Sequence, residues 1–159
     1  MKVLIIYDSV YGNTEQIAQA IATALGPHED VEILRVSDVE PEQLTGLNLL
    51  IVGSPTQRFR PTTAIDRLLE KIPVNGLKGV KVAAFDTRLS LSDIESPVER
   101  FFVERGGYAA KPIAGRLKKS GGSLIVPPEG FIVQGMNGPL KKGELERAAD
   151  WAKQIITTQ

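Results

Sequence analysis

The chain has no cysteine among its 159 residues. Thiolate zinc sites, iron–sulfur ligation and dithiol redox chemistry within the chain are thereby excluded. It has a single histidine, His28, beside Pro27. A histidine-based triad or a multi-histidine metal site is out of reach, and His28 reads as a loop residue. An excess of charge of either sign is lacking too: 19 basic and 19 acidic side chains give a formal net charge of zero. That balance offers no footing for nucleic acid, and no basic run marks a membrane surface. No apolar run is long enough to span a bilayer, and Met1-Lys2 leads into a strand rather than a signal peptide, so the expectation is a cytoplasmic protein. Neither G-x-G-x-x-G nor G-x-x-x-x-G-K-[ST] occurs anywhere.

What is present is an ordinary globular composition, 42% apolar and 24% charged, in a length that suits one domain over residues 1–159. Val3–Tyr7 is an unbroken apolar run of strand length, and strand-like runs recur at Val31–Val36, Leu47–Val52, Val80–Phe85 and Ser123–Val126. Helical spacing links Ile17, Ala18, Ile21, Ala22 and Leu25 in the first gap between strands. Ile65, Leu68, Leu69 and Ile72 repeat it after Pro61-Thr62, and Ala110, Ile113, Ala114 and Leu117 repeat it before Gly121-Gly122. A last helix opens after Gly143 and carries Leu145, Ala148, Ala149, Ala152, Ile155 and Ile156, with Trp151 at its margin as a packing residue. The alternation predicts an α/β, doubly wound parallel sheet with helices on both faces. Ligands of such sheets bind beyond the carboxyl ends of the strands.

The first strand ends in Asp8-Ser9-Val10-Tyr11-Gly12-Asn13-Thr14 before its helix. A helix start leaves backbone N–H groups unpaired at its positive end, which makes an anion site. Ser9, Asn13 and Thr14 add side-chain donors, and Gly12 permits positive φ or close approach. No Lys or Arg lies between Asp8 and Gln16, so a phosphate here would rest on N–H and O–H groups alone. The same residues also permit a plain strand-to-helix turn with Thr14 as N-cap.

These residues resemble the phosphate loop of the flavodoxin superfamily, in the Tyr-Gly-Asn-Thr spelling of flavodiiron-protein flavodoxin domains and flavodoxin-like quinone reductases. The resemblance covers about residues 2–156. It implies a flavodoxin-like three-layer sandwich with a five-stranded parallel sheet in the order 2-1-3-4-5, and FMN as cofactor. Cofactor contacts would then come from Ser9, Val10, Tyr11, Gly12, Asn13 and Thr14. A second loop, Gly53-Ser54-Pro55-Thr56-Gln57-Arg58-Phe59, is similar to the family's second flavin loop. There Pro55 would be a further cofactor contact, and Thr56 and the backbone of Gln57 and Arg58 would face the ring's polar edge, with Phe59 as its wall or tucked beneath the domain. Thr87, Arg88 and Leu89 match the third flavin loop in position only. Leu89 stands where family members commonly carry an aromatic, so a second wall must come from elsewhere. From Asp86 to Gly107 the chain runs unusually far. Ser96, Pro97 and Glu99 read as the start of a short extra helix, and Phe101-Phe102 as core or as a flap or dimer contact.

No catalytic residue and no metal is required, because the cofactor carries the chemistry. The resemblance implies electron transfer with a redox partner protein. The alternative is an NAD(P)H-dependent quinone oxidoreductase, an oligomer with a quinone as small acceptor; a flavin-free binding module on the same fold is a third. Arg58, Arg60 and Arg88 are expected around the ring, favouring its anionic two-electron-reduced form, unless they only reach solvent. The stretch Ser54–Pro61 has no glycine, so backbone rearrangement beside the ring is expected to be hard.

Overall fold

The computed structural model describes residues 1–27, 29–90, 97 and 108–158. The expectations for His28, for the Ser96–Glu99 helix start beyond Pro97, and for Phe101-Phe102 lie outside the described residues. Strand β1 (Lys2–Tyr7) runs into helix α1 (Asn13–Leu25), followed by β2 (Asp30–Arg35) and two short 3-10 turns, Val36–Asp38 and Pro41–Leu44. Then come β3 (Leu49–Pro55), α2 (Thr63–Lys71), β4 (Lys81–Leu89), α3 (Ala110–Lys119), β5 (Ser123–Leu124), β6 (Glu129–Val133) and α4 (Glu144–Thr157). The strands pair in parallel in the order β2-β1-β3-β4-β5, and β6 also pairs with β4.

The apolar strands explain the layering, because alternate residues face opposite sides. Val3, Ile5 and Tyr7 pack on α1 and α4, while Leu4 and Ile6 pack on α2 and α3. Gly53 belongs to this packing: a Cβ there would overlap the ring of Phe85, which is fully buried. Trp151 is core as expected, meeting Phe85 and Phe131 edge to face with ring centres 6.1 Å apart.

The expected fifth strand is corrected. It does not extend from Ser123 to Val126 but stops at Leu124, and a sixth strand begins at Glu129. Pro127-Pro128 supplies no N–H to a ladder, so the chain leaves the sheet and rejoins it beside the upper half of β4. The consequence is positional. Val133 pairs with Leu89, so the end of β6 reaches the same rim as the ends of β1, β3 and β4.

Candidate functional site

The turn after β1 is built by side chains that consume some backbone donors and leave others. The Asp8 carboxylate accepts the Ser9 N–H at 2.9 Å. The Ser9 hydroxyl oxygen accepts the N–H groups of Gly12 at 3.1 Å and Glu15 at 3.4 Å. Gly12, at φ +91°, turns the chain into α1 and is its N-cap, so Thr14 is not. Thr14 lies one residue into the helix, and its hydroxyl meets that of Thr87 at 2.8 Å in a buried contact. The N–H groups of Val10, Tyr11, Asn13 and Thr14 have no hydrogen-bond partner among the described residues. Asn13 is held against Gly138, where a Cβ would fall 2.6 Å from its Oδ1.

The second loop is tighter than its sequence predicts. Gln57 and Arg60 exchange N–H···O=C bonds of 2.8 and 2.9 Å, closing a two-residue turn in which Arg58 has φ +47° and Phe59 φ +72°. Both lie in the left-handed region without being glycine, a strained arrangement typical of positions that function over-determines. The absence of glycine therefore does not keep the backbone out of left-handed geometry. The expected edge donors are also revised: the Thr56 N–H goes to the Thr87 carbonyl and the Gln57 N–H to Arg60, leaving the Arg58 N–H. The Thr56 hydroxyl oxygen accepts the Ala109 N–H at 3.2 Å.

At the end of β4, Asp86 is fully buried and grips Arg88 with both oxygens, Nε–Oδ1 at 2.6 Å and Nη2–Oδ2 at 2.7 Å. The Ala110 N–H, at the start of α3, donates to Oδ2 at 2.8 Å. Burial pushes the Asp86 carboxyl above the usual carboxylate range, against the pull of Arg88 and the Ala110 N–H. The guanidinium lies 3.7 Å from the centre of the Tyr108 ring and rests against Gly130, where any Cβ would overlap it. Arg88 is thus no free cation: it lines the cavity with its charge already paired to Asp86. Arg60 lies 4.0 Å from Asp66 and does not line the site, which leaves Arg58 as the lining cation with no acidic partner among the described residues.

These elements enclose a cavity of ≈ 360 Å³, within the range of about 300–1,000 Å³ usual for small-molecule sites. Its walls are Ser9, Val10, Tyr11, Asn13 and Thr14 from the first loop and Pro55, Thr56, Gln57, Arg58 and Phe59 from the second. Thr87, Arg88 and Leu89 complete the three expected groups. Gly12 alone among the expected residues does not line it. Tyr108, Val133 and Met136 line it as well, and the sequence reading missed all three. The gap at Leu89 signalled that an aromatic had to come from elsewhere, and Tyr108 is an aromatic on the cavity wall. Val133 and Met136 had no signal while the fifth strand was taken to end at Val126.

Residues 4–121 match the family model described as a flavodoxin domain. The chain belongs to the flavodoxin family. Members of this family bind FMN. The flavodoxin of Picosynechococcus sp. (strain ATCC 27264 / PCC 7002 / PR-6) is 40% identical over 55 residues, 35% of this chain. That match spans 32% of the relative's length. Oxidised Flavodoxin 2 from Bacillus cereus superposes with a TM-score of 0.77 over 100% of both chains, at 23% identity. Rubredoxin oxygen:oxidoreductase from Desulfovibrio gigas gives 0.72 at 19% identity, over 99% of this chain and 36% of that one. At such identities the likeness is one of fold.

The donor set of this flavodoxin-family cavity fits a flavin mononucleotide. Unpaired N–H groups and hydroxyls at one end suit a phosphate. Phe59, Tyr108 and Leu89 offer flat or apolar walls to a ring system.

Proposed function

We propose that this chain is an FMN-binding electron-transfer protein. The observation that carries the reading is the set of four unpaired N–H groups at Val10, Tyr11, Asn13 and Thr14, at the helix end of a cavity with aromatic walls. Those donors, with the Asn13 amide and the Thr14 and Thr87 hydroxyls, would hold the phosphate. Phe59 and Tyr108 would cover the ring, and the Arg58 N–H would meet its polar edge. When bound, FMN supplies the redox chemistry, accepting and releasing electrons. The chain's part is to bind, orient and shield. No side chain is assigned a proton-transfer role. Val10, Tyr11 and Met136 are 54, 53 and 77% exposed at the cavity mouth, leaving an apolar approach for an electron partner.

Two measurements test this. Purified protein should carry FMN, identified by its absorbance and by the mass of the released cofactor. Apoprotein titrated in fluorescence should bind FMN well ahead of riboflavin, which lacks the phosphate. Equal affinities would refute the assignment of the first loop. Steady consumption of NAD(P)H with benzoquinone would move the reading from carrier to quinone oxidoreductase, the second class the loops resemble.

A further inference from the structure

The first loop combines two features that conflict. It contains no cation between Asp8 and Gln16, yet carboxylates flank it at Asp8 and Glu15. A phosphate monoester carries about −1.5 to −2 charge at neutral pH. Two carboxylates beside it oppose its binding.

Arg35 answers both. It is the last residue of β2, in register with Tyr7 at the end of β1. Its Nη1 donates to the Ser9 carbonyl at 2.9 Å and lies 3.5 Å from Asp8 Oδ1. Its Nη2 lies 3.7 Å from Glu15 Oε2, and the guanidinium sits 5.3 Å from the centre of the Tyr7 ring. Arg35 is not part of the cavity wall. We propose that Arg35 is the positioning residue of the phosphate site, acting on a phosphomonoester through the loop without touching it. The inference rests on the FMN reading above.

The mechanism follows from peptide geometry. In a trans peptide the C=O and the next N–H point in opposite directions. By drawing the Ser9 carbonyl outward, Arg35 leaves the Val10 N–H facing the other way, toward the cavity. Were that peptide to turn over, a carbonyl oxygen would meet the phosphate in place of a donor. The same guanidinium offsets the charges of Asp8 and Glu15, so the phosphate sees fewer uncompensated negative charges. A partly exposed ion pair does little for stability by itself. Selectivity for the phosphate is therefore the property to measure.

The test is the ratio of FMN to riboflavin dissociation constants for apoprotein, at low ionic strength. In Arg35→Gln, FMN affinity should fall about ten- to a hundredfold, with riboflavin affinity changed by less than about twofold because the ring contacts are untouched. Adding Asp8→Asn and Glu15→Gln to that variant should restore part of the FMN affinity. The phosphorus resonance of bound FMN should be flat with pH around neutrality in the parent, and should titrate in Arg35→Gln. Where Arg35→Gln does not fold, Arg35→Lys serves: it keeps the charge without the fork and should lose part of the selectivity. Equal loss of both ligands, or an unchanged ratio, in either variant would overturn the role of Arg35 while leaving the FMN reading intact. A parent protein that binds FMN and riboflavin equally would overturn both.

Discussion

Replacing Arg88 with methionine isolates Asp86, a fully buried carboxylate beside the cavity. Asp86 has three donor contacts: two from the Arg88 guanidinium and one from the Ala110 N–H. Methionine keeps much of the apolar stem and removes two of the three. Breaking a buried pair by deleting one partner costs about 3–5 kcal/mol. The Arg88 side chain is 23% exposed, so water screens part of that, and the lost stacking on Tyr108 adds a little. A destabilisation of about 2–4 kcal/mol is expected for the apoprotein at pH 7.

The pH dependence supplies the sharper check. Burial already raises the Asp86 pKa in the folded chain, and loss of Arg88 removes the main opposing cause. The folded variant therefore takes up a proton more readily than the unfolded chain. A group raised in this way gives its greatest stability at low pH, lost as the pH rises from the unfolded value through the folded one. Urea unfolding of Arg88→Met should accordingly show a smaller deficit at pH 5 than at pH 7. Asp86→Asn placed in the same background should recover much of the loss at pH 7, since no charge is left buried. A deficit below about 1 kcal/mol, or one that grows as the pH falls, would refute the reading of Asp86 as a buried charge held by Arg88.

Phe59→Ala and Tyr108→Ala should each weaken flavin binding by about 1–3 kcal/mol in fluorescence titrations; unchanged affinity in either would place that ring off the ligand. Arg58→Asn should raise the stability of the apoprotein by about 0.5–1 kcal/mol in urea, because asparagine tolerates the left-handed backbone that arginine holds under strain. Gly53→Ala should destabilise by about 1–3 kcal/mol, since its methyl group would enter the space of the Phe85 ring; a smaller change would show that β3 and β4 can part there.

The parallel sheet was legible because its inner strands are largely apolar and its helices carry clean 3.6-residue spacing. Val3–Tyr7 and Val80–Phe85 admit no other reading once α1 and α2 are placed. The strand order came by resemblance, since periodicity does not rank neighbours. Ser123–Val126 misled because its apolar run goes on past the last ladder bond, the Ile125 N–H to the Val82 carbonyl, to the prolines that end the pairing. Backbone pairing, not hydropathy, decides where a strand ends. The left-handed Arg58-Phe59 turn was illegible for a related reason. The two backbone bonds between Gln57 and Arg60 that close the turn override the intrinsic preference of Arg58 and Phe59.

Charge was the least legible part, and the structure shows why. Three arginines were picked out by sequence as cations facing a ring, on the ground that they lie in loops at the sheet's carboxyl edge. Arg88 turns out to answer Asp86, two residues earlier on the same strand and on the same side of it. Arg60 approaches Asp66 on the first turn of α2. Arg35, far from the loops in sequence, is an arginine that reaches the loop after β1, because β2 lies next to β1 and its last residue ends level with Tyr7. None of the described residues lining the cavity is acidic, although Asp8, Glu15 and Asp86 all stand just behind its wall. Each of these three carboxylates faces a guanidinium. On the proposed FMN reading, the carboxylates near the anion are each paired with an arginine, so that Arg58 is the cation of the cavity wall left to face the ligand. That arrangement predicts an anion affinity governed by residues the anion never meets.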